Sequence, residues 1–468
     1  MANKIQIRRD VAANWTSSNP TLSQGEQGYE TDTGKIKIGD GSTAWTSLAY
    51  NTSYSDSDVD THLNTSTATT GEVLSWSGTD YDWIAGGGGA ALELYAENPS
   101  TPTAPSATGS NAVAIGSQSQ ASGSYGLALG RSSNSSGQGG VAIGYAIASG
   151  SRSVSINNAA GSYSTVASAS NSTAIGGNSS GSQGSQAVTG SGAMALGGSY
   201  ASGTDSFAAA IANNSSSYGA TGTSSVAIGY LSKASNTDAV AIGDTATASG
   251  TNSFAHGRSS IANSADAVAI GIGATTTASR AFSFGDNCIS SASYSFSIGR
   301  STKSSYNYSY AFGYNTEATR KGVLVFGGGQ FGSRGDAQCG IMVLRRATTD
   351  ATSTVLTSDG STPAGINEVQ LPNNSAYAFH GTIVARQQAS QGTACAAWKV
   401  EGLIRREGSA GTTVLVNSAT TVLDNTPNWG MALSADTTNG GLAITVTGAA
   451  ATNIRWVATI HTSEVTYA

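Results

Sequence analysis

Large apolar residues return every 14 positions along residues 226–327, in a tetrad with large residues first and third and a small one between. The copies are Val226-Ala227-Ile228-Gly229, Val240-Ala241-Ile242-Gly243, Phe254-Ala255-His256-Gly257 and Val268-Ala269-Ile270-Gly271, then Phe282-Ser283-Phe284-Gly285, Phe296-Ser297-Ile298-Gly299, Tyr310-Ala311-Phe312-Gly313 and Leu324-Val325-Phe326-Gly327. Alternation with a period of two predicts a strand, and the Gly that closes each tetrad permits a tight turn at positive φ. A weaker strand of small residues follows, Ser232-Lys233-Ala234-Ser235 in one repeat and Ala246-Thr247-Ala248-Ser249 in the next. A polar turn completes the repeat. Self-similarity at a fixed step is the signature of a solenoid, here a coil of two short strands and two turns.

Upstream the tetrad recurs less evenly, starting at Val113, Leu127, Val141, Val154, Thr173, Met194 and Phe207, with Ile115 and Ile143 at third positions. The longer steps, 19 or 21 residues, read as insertions into Ser-, Asn- and Gly-rich turns. Val166 and Val188 can also seed strands of their own, so a second register stays open there. Fifteen coils stacked in parallel predict a rod of roughly 70 Å. The large tetrad residues are candidates for the roll core or for a seam between neighbouring chains: Val113, Ile115, Val141, Ile143, Val226, Ile228, Val240, Ile242, Phe254, Val268, Ile270, Phe282, Phe284, Phe296, Ile298, Tyr310, Phe312 and Phe326. The alanine between them calls for a close approach, either across the roll or to a neighbouring chain. Aromatics gather toward residue 327, and their area predicts a change in packing there. A second ladder follows each Gly: Tyr230, Asp244, Arg258, Ile272, Asp286, Arg300 and Tyr314. It predicts Asp244–Arg258 and Asp286–Arg300 pairs along an edge, useful for register and solubility, or a ligand-binding rib.

Outside the repeats the pattern changes. Residues 1–50 read as a compact β module: an alternating Ile5-Gln6-Ile7-Arg8, a turn at Asn19-Pro20, a hairpin turn at Asp32-Thr33-Gly34 and a strand Lys35-Ile36-Lys37-Ile38, with Trp15, Tyr29, Trp45 and Leu48 as its core. Residues 51–110 read as a neck or linker. They hold a short helical turn near Ser55–Asn64 with Ser55 or Ser57 as N-cap, a hairpin around Ser77-Gly78-Thr79-Asp80, a break at Gly86–Gly89 and an extended Asn98–Pro105. Residues 111–329 are the roll. Residues 330–468 carry seven or more longer alternating strands, which predict a β-sandwich or jelly-roll at the tip.

The tetrads, with their Ser-x-Ala-Ser-Gly continuation, resemble the head repeats of trimeric autotransporter adhesins (YadA-like heads) over residues 110–327. That resemblance implies a left-handed parallel β-roll with three chains side by side. Ile7-Arg8-Arg9-Asp10, Trp15-Thr16, Asn19-Pro20, Gly25-Glu26-Gln27-Gly28-Tyr29-Glu30, Asp32-Thr33-Gly34-Lys35, Lys37-Ile38-Gly39-Asp40-Gly41 and Trp45 resemble the N-terminal module of phage receptor-binding proteins of the major tropism determinant kind. It implies a small intertwined trimeric β-fold at a virion-attachment end. The C-terminal region is similar to the C-terminal domains of some phage fibre proteins. The expected protein is an all-β homotrimer, elongated, attached to a virion structural protein at its N-terminus and to a host surface glycan or protein at its C-terminus.

Composition narrows this picture. Charged residues are 11% of the chain and the formal net charge is −6, so no basic stripe points to nucleic acid. Disorder usually couples low hydrophobicity to high charge, and the 38% hydrophobic content here is periodic. No secretory signal and no membrane-spanning run is visible in the sequence. A virion protein synthesised in the host cytoplasm is therefore expected rather than a bacterial adhesin, with three free cysteines, Cys288, Cys339 and Cys395. No cofactor or metal motif appears, and no nucleophile-elbow sequence accompanies His380 or His461. Asp336, Glu401, Glu407, Asp424 and Asp436 are the acids a depolymerase would draw on, but they are scattered in polar turns, so binding without turnover is expected. His256 is expected inside the roll, or on an axis shared by three chains. Trp398, Trp456 and Tyr377 are expected in the tip core, and Trp429, after Thr426-Pro427-Asn428, is the candidate for an exposed contact. A capsid- or neck-borne decoration fibre of the same architecture is the alternative.

Overall fold

A computed structural model describes residues 7–51, 56–76, 79, 81–85, 103–157, 164–176, 185–187, 189–210 and 217–467. The chain divides into two compact units, residues 1–94 and 95–468. Among the described residues, no helix is long and apolar enough to cross a membrane.

In the first unit, Arg8–Asp10 pairs in parallel with Gln27–Glu30, which turns at Gly34 into an antiparallel Ile36–Ile38. Between the first two strands lies a helix, Ala12–Ser18, ended by Asn19 in the left-handed conformation. Its Trp15 stacks on Trp45 with ring centroids 4.0 Å apart. Leu22, absent from the expected core, is fully buried beside them, while Tyr29 is only half-buried. The strand Ile36–Ile38 is inverted with respect to simple amphipathicity: Lys37 is buried and Ile38 is exposed. Lys37 Nζ donates to the Trp45 carbonyl at 2.7 Å and sits 4.3 Å from the centroid of the Tyr50 ring. Burial lowers its pKa against the pull of buried Glu30. The helix Asp56–His62 begins before Ser57, which is therefore not its cap. Glu72–Trp76 and Tyr81–Ala85 form the expected hairpin, with Trp76 opposite Tyr81. Ser55, Ser77, Gly78, Asp80, Gly86–Gly89 and residues 98–102 lie outside the described residues.

The second unit opens with the roll, a β-solenoid over residues 106–328. Fifteen parallel strands, from Val113–Ile115 to Val323–Gly328, take up the fifteen tetrads one for one. Fifteen shorter strands, from Ser106–Ala107 to Glu317–Ala318, form the second wall. The irregular region keeps a single register, Val154 opposite Thr173, Thr173 opposite Met194 and Met194 opposite Phe207. Val166 belongs to a second-wall strand, Thr165–Ala167, rather than to a competing tetrad; Val188 lies outside the described residues. Most coils turn through non-glycine residues in the left-handed region, such as Asp238, Asn252, Asp266, Arg280, Tyr294 and Tyr308 at successive steps, with φ from 54° to 59°.

The side-chain directions decide what the roll is made of. The middle residue of each tetrad points inward: Ala227, Ala241, Ala255 and Ala269 have no exposed surface, and neither do Ala234, Ala248 and Ala262 on the facing wall. The large first and third residues point outward. None of the eighteen candidates is in the roll core; most are half-buried, and Val113, Phe284 and Phe326 are exposed. Strands joined by such short turns lie too close for larger inward side chains, so both inner walls are small. Toward the C-terminus Ser and Thr replace Ala inside, and their hydroxyls donate across the roll: Thr276 to the Val268 carbonyl (2.8 Å), Ser290 to Phe282 (2.7 Å) and Ser297 to Ile289 (2.7 Å). The aromatics gathered there do not widen the interior. Phe282, Phe296 and Tyr310 stack on one another outside it, centroids 5.6 and 5.5 Å apart. His256 is likewise on the outer face and exposed, not packed within the roll. An inward methyl-sized wall tolerates little added volume, so Ala241→Leu is expected to cost about 2 kcal/mol, measured as a lowered midpoint of chemical unfolding.

The last roll strand continues into the tip without a break. Val323–Gly328 pairs antiparallel with Ala337–Thr348, and the sheet goes on through Ile454–Thr466, Ser375–Gln387, Cys395–Arg406 and Val414–Asp424. A smaller sheet, Thr354–Val355, Gly441–Thr447, Val369–Gln370 and Gly430–Asp436, packs on its inner face. Tyr377, Ile383, Trp398 and Trp456 from the large sheet and Leu356, Val369, Leu442 and Ile444 from the small region share one core. The tip is thus a sandwich of two antiparallel sheets, with strands as long as 13 residues.

Candidate contact surfaces

Because roll and tip share a sheet, their outward faces are continuous. Leu324 and Phe326 stand opposite Ile341 and Cys339. Ile341 stands opposite His461, His461 opposite His380, and His380 opposite Glu401. The row passes through an open concavity of about 540 Å³. The His380 and His461 rings stack 5.0 Å apart. Val343, Val384, Val457 and Leu403 extend this face and are exposed. The outermost strand, Val414–Asp424, has no buried residue and presents Val416, Val422 and Leu423 to solvent. A lone chain therefore leaves a mainly apolar stripe, broken by His256 and by the His461–His380–Glu401 row, running from the first coil to the tip, where isolated soluble proteins rarely expose patches beyond ~300–600 Å².

The turn edges of the roll carry polar ladders. Asp286 pairs with Arg300 (3.4 Å), whose guanidinium lies 5.4 Å from the Tyr314 ring centroid. The expected Asp244–Arg258 pair does not form: no ion pair within 4 Å joins them among the described residues. A ladder that sequence reasoning missed runs along the other turn. Asn252 Nδ2 donates to Asp266 (3.1 Å), Asp266 meets Arg280 (3.4 Å), Arg280 donates to the Tyr294 hydroxyl (2.7 Å), and Tyr294 stacks on Tyr308 (5.1 Å). Its signal was the 14-residue spacing of these types, visible only once that turn is aligned. These groups are exposed, so solvent screens each pair, and the ladders serve register more than stability.

Trp429 is not an exposed contact. It is buried in the tip core with its ring centroid 5.7 Å from that of Trp456, and Asn425 clamps its backbone through both amide atoms. The candidate acids do not assemble. Asp336 accepts three backbone N–H groups of the turn 331–333, Glu407 pairs with Arg405, and Asp424 accepts from Thr426. Asp436 alone has a carboxyl neighbour, Glu368, which nothing in its local sequence marked. Glu368 is fully buried, and burial followed by the charge of Asp436 pushes its pKa up to about 8. Burial acts upward on Asp436 too, but donors from Asn439, Thr438 and Glu368 outweigh it and bring its pKa down. All three cysteines are free, buried at Cys288 and exposed at Cys395. Among the described residues no group of three or more His, Cys, Asp or Glu side chains is placed to hold a metal ion.

Comparison with known proteins finds two matching modules. Residues 5–43 match the major tropism determinant N-terminal domain. Residues 107–133, 121–146, 163–179, 220–246, 234–260 and 262–287 match the YadA head domain repeat. No curated protein matches the chain. Among solved structures, the tailspike protein of Acinetobacter phage vB_ApiP_P1 aligns over 99% of this chain and 100% of its own, at 10% identity and a TM-score of 0.19. Both matches fall on the stretches whose sequence patterns resemble those two families.

Proposed function

We propose that this chain is a phage receptor-binding fibre protein that acts as a homotrimer. Its N-terminal module attaches to a virion protein, the roll is a stiff spacer, and the C-terminal sandwich contacts a host surface glycan or protein. The observation that carries the trimer is the mainly apolar outer face that runs from Val113 to the tip sheet. Two further copies, each offering the same ladder at the same rise, would cover that face in register. Binding rather than turnover fits the acids: the one neighbouring carboxyl pair has Glu368 sealed from solvent, out of reach of a polysaccharide. Three tips on one spacer also multiply weak contacts by avidity.

Light scattering tests the assembly. The full chain is expected at three times its 46.7 kDa mass. Phe296→Arg, on the outward face, is expected to lower that mass to one chain or drive aggregation. A wild-type monomer at micromolar concentration would remove the basis of the proposal. Pre-incubating host cells with purified trimer is expected to block adsorption of the phage that carries it, and unchanged adsorption would exclude the host-contact role.

A further inference from the structure

Glu368 is the most anomalous polar group in the tip. It precedes the short strand Val369–Gln370, where Val369 stands opposite Leu442 and Gln370 opposite Gly441. On the other side of the same strand, Gly441 stands opposite Asp436. Val369 and Leu442 enter the core, so alternation turns Glu368, Gln370, Gly441 and Asp436 to the opposite face. Gly441 has no side chain there, and a Cβ on it would press on the Val369–Gln370 backbone at 3.1 Å, so the glycine lets the two strands that carry the acids approach closely. The preceding loop covers them, with Gly365 lying against the Gln370 side chain.

The two carboxylates are treated very differently. Asp436 Oδ1 accepts the N–H groups of Thr438 (2.7 Å) and Asn439 (2.9 Å), and its Oδ2 accepts Asn439 Nδ2 (2.8 Å). Gln370 Nε2 closes the arrangement by donating to the Asn439 carbonyl (3.2 Å). Glu368 has no exposed surface, and neither of its carboxylate oxygens receives a donor. Arg406 packs against Gly440, but its Nη1 donates to the Leu371 carbonyl (2.7 Å) instead. A buried carboxylate without donors, aimed at a second one, is costly unless a proton or a cation comes between them.

We propose that Glu368 and Asp436 are the carboxylate ligands of a site for a hard divalent cation of the calcium class, which ties the strand Val369–Gln370 to the turn 436–440. Such ions take carboxylate, amide and water oxygens together, at about 2.3–2.6 Å for calcium. The donors already on Asp436 fix its orientation and leave lone pairs free, while Glu368 can offer both oxygens. The amide groups of Gln370 and Asn439 stand beside the pair. This proposal is independent of trimer formation and of host contact.

The test is thermal unfolding of the full chain in calcium chloride, magnesium chloride or EDTA, with calorimetric titration of calcium alongside. Calcium is expected to raise the tip transition by about 3 °C over EDTA and to titrate one site per chain. Glu368→Gln, which keeps the shape and removes the charge, is expected to fold, to unfold no earlier than wild type in EDTA, and to lose the calcium shift. Asp436→Asn is expected to lose it too. The absence of any shift and binding heat in wild type would overturn the proposal. So would an undiminished shift in Glu368→Gln, which would put the cation elsewhere.

Discussion

Gly285→Ala is expected to destabilise the roll by about 3–5 kcal/mol. Gly285 sits at φ +129°, and a Cβ there would lie 1.8 Å from the Gly299 carbonyl oxygen. The contact repeats up the stack: Gly271 meets Gly285 at 2.1 Å, Gly299 meets Gly313 at 2.0 Å and Gly313 meets Gly327 at 2.1 Å. The obstacle is backbone on the next coil, so no rotamer change relieves it. To admit a methyl group, two coils would have to separate, and the parallel ladder would lose hydrogen bonds on both sides of the gap. In a solenoid each coil is supported only by its neighbours, so one such gap should split cooperative unfolding into two steps. Gly328→Ala is the control: nothing lies within 4 Å of its Cβ position, and its midpoint should match wild type. Denaturant unfolding followed by circular dichroism distinguishes them. Equal midpoints for the two variants would mean that the glycine ladder is not required by the stacking.

The register of the roll was legible because the repeat length is constant from residue 226 onward and most tetrads end on a glycine at positive φ. Which face lines the interior was not. A period of two separates the faces of a strand without saying which is inside, and the usual preference for large apolar residues in a core points the wrong way here. The deciding signal lay in the second strand. Ala234, Ala248 and Ala262 are small like Ala227, Ala241 and Ala255, and two small ladders can only face each other across a narrow gap. His256 was a further clue, a polar ring at a third position where its neighbours are Ile and Phe. The N-terminal strand failed for the opposite reason. Lys37 is inside because two aromatic rings and a carbonyl receive its ammonium group, and period-two reading has no term for that. Trp429 looked exposed because a Pro-Asn turn precedes it; the Asn425 clamp folds that turn inward. Glu368 was invisible because its partner comes from a strand two positions across the sheet.

The least legible feature joins residues 144 positions apart. Arg320, in the last coil of the roll, forms a fully buried ion pair with Glu464 in the final strand of the tip. Glu464 Oε1 also accepts the Thr462 hydroxyl (2.6 Å), and Oε2 accepts Gln338 Nε2 (3.0 Å). The guanidinium lies 5.3 Å from the Tyr377 ring centroid and reaches the Gln370 carbonyl at 3.4 Å. Burial alone would lower the Arg320 pKa, but the charge of Glu464 reverses that and raises it, so the cation stays charged. Burial, then Glu464, drives the Tyr377 pKa far above its usual value. Glu464→Ala leaves the guanidinium buried and uncompensated, and is expected to cost about 3–5 kcal/mol. Its effect should be local, with faster amide exchange in residues 317–322 and in the final strand while early coils keep wild-type protection. Replacing both partners, Arg320→Met with Glu464→Met, should recover most of the loss, because it is the unpaired charge that destabilises. The exposed pair Arg405–Glu407, more than half accessible on both sides, sets the contrast: Glu407→Ala should shift stability by no more than about 1 kcal/mol. If Glu464→Ala costs as little as Glu407→Ala, the buried pair does not hold roll to tip, and the shared sheet does so alone.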